Sequence, residues 1–185
     1  MKQFALTVII IGLSFNSIFS NSNVVDECYI YDYIEDCEKQ AYDYDLYRTR
    51  MAVLESSSSY TALNQFGYLG MYQFGRSTLK GLRRSGYLKI SNREMITKNF
   101  LSNPELQERA MKALTDHNIK VLTRYGLMKY IGSEVKGVEV TLSGMLAASH
   151  LVGPNAVKKL IKSNGIINKA DGNGTTALKY LNEFV

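Results

Sequence analysis

Leu54-Glu55-Ser56-Ser57-Ser58-Ser59-Tyr60-Thr61-Ala62-Leu63-Asn64-Gln65-Phe66-Gly67-Tyr68-Leu69-Gly70-Met71-Tyr72-Gln73-Phe74 is the most informative stretch of this chain. Glu55 is its one acid, and no other Asp or Glu follows before Glu94. Just upstream, Tyr47, Met51 and Leu54 recur at i, i+4, i+7, which predicts a helix from about Asp43 to Leu54 with one apolar face. Glu55 then falls at the helix C-terminal end, where the dipole disfavours an anion. A carboxyl set among apolar neighbours holds its proton above the ordinary value of about 4.3, which suits a general acid. The Ser56–Ser59 run, Gly67 and Gly70 predict a loop after it. Those glycines let the backbone approach a flat ligand closely.

The same residues carry a resemblance. Glu55-Ser56, then Ala62-Leu63-Asn64, then Gly67-Tyr68-Leu69-Gly70-Met71-Tyr72-Gln73 resembles the motif of the lysozyme-like lytic transglycosylases, roughly E-S-x(5)-A-V-N, a short gap and G-A-L-G-L-M-Q. Two more matches follow in order. One is Asn99-Phe100-Leu101 with Asn103-Pro104 and Gln107, Ala110, Met111. The other is Ala147-Ala148-Ser149-His150-Leu151-Val152-Gly153-Pro154-Asn155-Ala156-Val157, similar to A-A-Y-N-A-G-P-G-A-V. The resemblance spans about Tyr47 to Val185 and implies a mainly α, lysozyme-like fold with a minor β-hairpin. It departs from the family at Ser149 and His150, which stand where the motif has Tyr and Asn, and one extra residue precedes Gly153.

Working outward, 185 residues suit a single domain behind a short leader. Lys2 precedes the apolar run Phe4–Leu13, about ten residues long, too short to span a bilayer and matching a signal-peptide core. Residues 1–22 are therefore expected to be a signal peptide, with an uncleaved anchor as the alternative, and the protein is expected in the periplasm or secreted. Residues 23–45 read as an acidic, Tyr-rich leader. Between 26 and 47 lie eight acids and one base, whereas 48–185, most of the catalytic domain expected over 46–185, holds twenty bases and nine acids. A basic exported domain suits an anionic polymer or surface. Nucleic acid is not expected as a partner, because export removes the opportunity and no nucleic-acid motif is present. Cys28 and Cys37 read as a disulfide in an oxidising compartment, with reduced thiols the alternative. The chain has only two histidines, neither near the cysteines in sequence, so no metal site is expected.

Helices are also predicted over Arg76–Arg84, with Leu79 and Leu82 inward, and over about Pro104–Arg124, opened by Asn103 as cap and Pro104 in the first turn. Ser91 and Glu94 form a capping-box pattern ahead of Met95, Ile96 and Phe100. Val135–Val140 alternates around a glycine turn and predicts a hairpin. Thr141 or Ser143 caps the helix carrying Met145 to Ala148, Pro154 opens the next, and Thr175 or Thr176 caps a final helix with Leu178, Leu181 and Phe184. His117, on the long helix, reads as structural.

The resemblance implies that Glu55 is the catalytic acid and base. It implies that Tyr72 and Gln73 touch the saccharide, with Tyr72 in place of the usual Met and offering a ring for stacking. Ser56 is expected to hydrogen-bond the carboxyl or a sugar group, and His150, where the family's residue is absent, to donate to an N-acetyl or carboxyl group of the substrate or to tune Glu55. The implied substrate is the glycan strand of peptidoglycan, cut at the MurNAc-GlcNAc β-1,4 bond without cofactor by an enzyme expected to act as a monomer, in some cases beside a secretion apparatus. Hydrolysis normally needs two carboxylates. Glu94, Glu105 and Glu108 lie on predicted helices without special context, and Glu139 and Asp171 stay open. A hydrolytic lysozyme and a non-catalytic wall-binding module are the other two readings.

Overall fold

The structure is a computed structural model and describes residues 42–185. The predicted signal peptide, most of the acidic leader and the Cys28–Cys37 pair lie outside the described residues. The first helix, α1 (Tyr44–Ser56), is capped by Asp43, whose carboxylate accepts from the backbone N–H of Asp45 and Leu46 at 2.9 and 3.0 Å. The boundary expected at 45/46 thus falls inside a helix. Tyr47, Met51 and Ala52 form its buried face, while Leu54 is 39% exposed.

Ser57 ends α1 at φ 54°, and the N–H groups of Ser57 and Ser58 return to the carbonyls of Val53 and Ala52. That closure uses the left-handed turn usually given to glycine. It carries the helix two residues past Leu54 and puts Glu55 in the final turn.

α2 (Arg76–Arg84) buries Leu79 and Leu82. The capping-box bonds between Ser91 and Glu94 form, at 2.8 Å from the Ser91 N–H and 3.2 Å to the Glu94 N–H, yet the helix after them, α3 (Thr97–Leu101), starts later and is short. α4 (Pro104–Arg124) runs 21 residues, opened by Asn103 accepting from the Leu106 N–H at 3.0 Å. It buries Leu106, Gln107, Ala110, Met111 and Leu122 along one side. A 3-10 turn (Met128–Tyr130) leads into an antiparallel hairpin of β1 (Glu134–Val135) and β2 (Val138–Glu139), in register Val135 to Val138. Lys136 at φ 54° and Gly137 at φ 77° make the two-residue turn that matches strand twist.

Thr141 then caps α5 (Leu142–Val152) by accepting from the Gly144 N–H at 2.9 Å, and donates to the Phe184 carbonyl at 2.8 Å. α6 (Pro154–Lys162) and α7 (Ala177–Asn182) complete the chain. α5 and α7 pack closely because Gly144 has no side chain: a Cβ there would stand 2.7 Å from the Leu181 carbonyl. The described residues are mainly helical with one small hairpin. Among them no helix is long and apolar enough to cross a membrane.

This arrangement brings three distant segments together. The end of α1 carries Glu55, the buried and Ala-rich α5 carries His150, and α7 carries Tyr180. The loop between α1 and α2 closes beside them through the paired Leu69–Phe74 bridge, bonded both ways at 3.0 and 2.8 Å.

Candidate active site

Glu55 sits with its side chain 12% exposed, and Tyr180, 125 residues away in sequence, donates its hydroxyl to Glu55 Oε1 at 3.0 Å. His150 is more deeply buried, at 7% exposure, with Nε2 3.9 Å from the same oxygen. Nε2 also lies 2.9 Å from the Tyr72 carbonyl, which can only accept, so Nε2 carries a hydrogen. His150 Nδ1 is buried without a partner among the described residues. Phe74 packs edge-on to the imidazole, with ring centroids 5.9 Å apart. No hydrogen bond among the described residues engages Glu55 Oε2.

Burial, reinforced by the Glu55 carboxylate, pushes the Tyr180 phenol well above its usual range. A phenol with a raised pKa stays protonated below that value, so Tyr180 remains a donor to Glu55 across the whole working pH range. The charges of Asp171 and Glu183 add to that rise. Asp171 Oδ1 is already engaged by the N–H groups of Asn173 and Thr175 at 2.9 and 2.7 Å.

Ser56, Tyr72 and Gln73 are placed differently from the expectation. Ser56 Oγ donates to the Met71 carbonyl at 2.8 Å and accepts from the Ser59 N–H at 3.0 Å. It stitches the end of α1 to the loop and makes no bond to the Glu55 carboxylate. The Tyr72 ring is fully buried, so it offers no face for stacking. Its hydroxyl lies 2.9 Å from both oxygens of Glu108, and what it gives the site is the carbonyl that holds His150. Gln73 stands at the strained φ of 47°, its amide donating to the Gly70 carbonyl at 2.9 Å, half-buried at the loop surface. His117 lies against Tyr87, with ring centroids 5.1 Å apart.

Glu108, with no apparent context in the sequence, gathers three donors: Tyr60 at 2.7 Å, Tyr72 at 2.9 Å and Arg48 at 3.0 Å. Arg48 and Glu55 are seven residues apart on α1, about 10 Å of helix rise. This second carboxylate is a structural tie between α1, the loop and α4, with its charge balanced by Arg48. Tyr180 was missed in the sequence because only its apolar neighbours were read on that helix. Its signal was a polar-tipped ring on a buried helical stripe, which needs a partner. No family model, no characterised protein and no solved structure matches this chain.

Proposed function

We propose that the domain is an exported peptidoglycan-cleaving enzyme of lysozyme-like fold, a lytic transglycosylase in which Glu55 is both acid and base. The observation that carries the reading is a mostly buried carboxyl with one oxygen held by a phenol and the other without a hydrogen bond among the described residues, on the residue where the sequence resemblance puts the acid. Protonated Glu55 gives its proton to the glycosidic oxygen as the C1–O bond breaks. The substrate's own N-acetyl oxygen stabilises the positive C1. The carboxylate then takes the proton of the muramic acid 6-hydroxyl while that oxygen bonds to C1, leaving a 1,6-anhydro end.

His150 replaces the family's asparagine, so its proposed contribution is confined to what its position supports: an imidazole held by the Tyr72 carbonyl, with Nε2 3.9 Å from Glu55 Oε1, as a polar neighbour of the carboxyl. Tyr180 is a positioning residue. Tyr180→Phe should lower turnover roughly tenfold to a hundredfold, the scale of one hydrogen bond to a charged group. Tyr180→Ala should cost more and lower stability as well. An unchanged rate in the Phe variant would show that the bond does not orient Glu55.

The second reading is hydrolysis, which calls for a second carboxylate. Mass spectrometry of soluble products from purified peptidoglycan separates the two. Anhydromuramyl ends are expected; reducing muramic acid ends would reassign the enzyme to hydrolysis and make Asp171 the first carboxylate to replace. Binding to the wall without any release would leave a non-catalytic module.

A further inference from the structure

The acid-free stretch has a consequence on the folded surface. Residues 76–98 hold seven bases and the single acid Glu94. Glu94 is occupied by the N–H and hydroxyl of Ser91, and those bonds hold its carboxyl below the usual range. None of the ion pairs among the described residues involves any of these seven cations. Two of them build the surface: Arg76 donates to the Met95 carbonyl at 3.2 Å, and Arg83 to Asn92 Oδ1 at 2.7 Å, so α2 and the segment after it form one piece. Lys80, Arg84, Lys89, Arg93 and Lys98 are exposed.

The loop that leads into α2 carries two exposed aromatic rings. Phe66 and Tyr68 are 54% and 45% exposed. Tyr68 lies against Gly75, the residue that starts α2: a Cβ at Gly75 would come within 3.2 Å of the Tyr68 ring, closer than side chains normally pack. One residue back along the same bridge, Phe74 packs on His150, which stands beside Glu55. The loop that carries both rings is thus anchored at one end beside Glu55, through Phe74 and His150, and at the other on the start of α2.

We propose that this face binds the peptide-bearing part of the glycan strand beyond the cleaved bond, with sugar rings on Phe66 and Tyr68 and stem-peptide carboxylates on the α2 cations. The inference rests on the peptidoglycan reading and adds a preference to it: strands carrying their anionic peptides over naked glycan. Exposed aromatic rings grouped in one patch mark a binding surface more often than isolated ones. Each solvated ion pair adds little, but several act together and are screened by salt, so the preference fades as ionic strength rises. An anionic membrane fits less well, because the helix itself has no apolar face to lay into lipid: Leu79 and Leu82 of α2 are spent in the core.

The test uses the full chain carrying Glu55→Gln, so that binding is read without cleavage. Its probes are uncrosslinked glycan strands with stem peptides and the same strands stripped by an amidase. Adding Lys80→Glu and Arg84→Glu should weaken binding to peptide-bearing strands roughly five- to tenfold at low salt, and leave stripped strands within about twofold. Phe66→Ala with Tyr68→Ala should weaken both. Equal effects of charge reversal on the two strands, no effect on either, or equally tight binding of the starting protein to anionic vesicles or single-stranded DNA would overturn the proposal. Turnover is scored separately with Glu55 present. Strands bound in the expected pattern but never cut would sink the catalytic reading alone, and strands cut with no sensitivity to charge reversal would sink this one alone.

Discussion

Glu55→Gln should abolish measurable release of muropeptides from purified peptidoglycan, a loss of roughly 10²- to 10⁴-fold or more, the range for removing a general acid. Glutamine keeps the shape of the side chain and an oxygen for the Tyr180 hydroxyl, which now sits 3.0 Å from Oε1. What it loses is the transferable proton and, in the second half of the reaction, the basic oxygen. In the proposed mechanism both roles fall on one residue, so the loss should exceed that of any neighbour. The fold should survive, because the exchanged group makes a single protein hydrogen bond among the described residues, which glutamine's oxygen can still accept; stability should change by no more than about 1 kcal/mol. Product analysis and thermal unfolding on the same preparation check the two halves. A variant that kept a tenth of the activity would remove Glu55 from the acid's role and direct attention to Asp171.

The contrast between Glu55 and Tyr180 shows what a sequence can disclose. Helices α2 and α4 appear in the structure with the limits read from the chain, because their signals are local: Asn103 and Pro104 at one start, alternating buried leucines in the other. The end of α1 was less legible. It is closed by Ser57 and Ser58 at positive φ, and serine does not announce that conformation as glycine would. The Ser91–Glu94 pair shows the opposite case, in which the local bonds form but the helix they foretell is postponed to Thr97. At the site, Glu55 and His150 could be singled out from their motifs, and the fold does bring them within 3.9 Å. The direction of the Tyr72 ring could not be read, since only the packing of α4 against the loop decides that it points at Glu108 and away from a ligand. Glu108 itself looked like an ordinary helical glutamate until three donors from three segments converged on it.

Gln107→Leu should destabilise the protein by about 3–5 kcal/mol, since it strands several buried backbone groups that each cost about 1–3 kcal/mol when left unpaired. Gln107 is fully buried on α4. Its amide oxygen accepts from the Met71 N–H at 2.8 Å, and its nitrogen donates to the carbonyls of Tyr60 and Phe100 at 3.0 and 2.9 Å. One side chain thus pins both ends of the loop between α1 and α2 and the segment before α4. Leucine matches its volume but answers none of those groups, so urea unfolding should shift clearly to lower midpoint, and turnover should fall because Gln73 and the Tyr72 carbonyl lose their support. Gln107→Glu makes the sign testable. An ionised carboxylate would face two carbonyl oxygens, whereas a protonated one can donate to one of them, so burial would raise that carboxyl in the folded state above its unfolded value of about 4.3. The variant should be least impaired below that unfolded value and lose stability as pH rises through the folded one. Gly70 supplies the cross-check. A Cβ there would overlap the Gln107 amide, and Gly70 holds φ +73°, so Gly70→Ala should also be strongly destabilising. Combining it with Gln107→Ala removes the clashing partner, and the double variant should lose less than the sum of the two single losses. Strict additivity would mean that the two residues do not share the contact, and that the loop is held by something other than this amide.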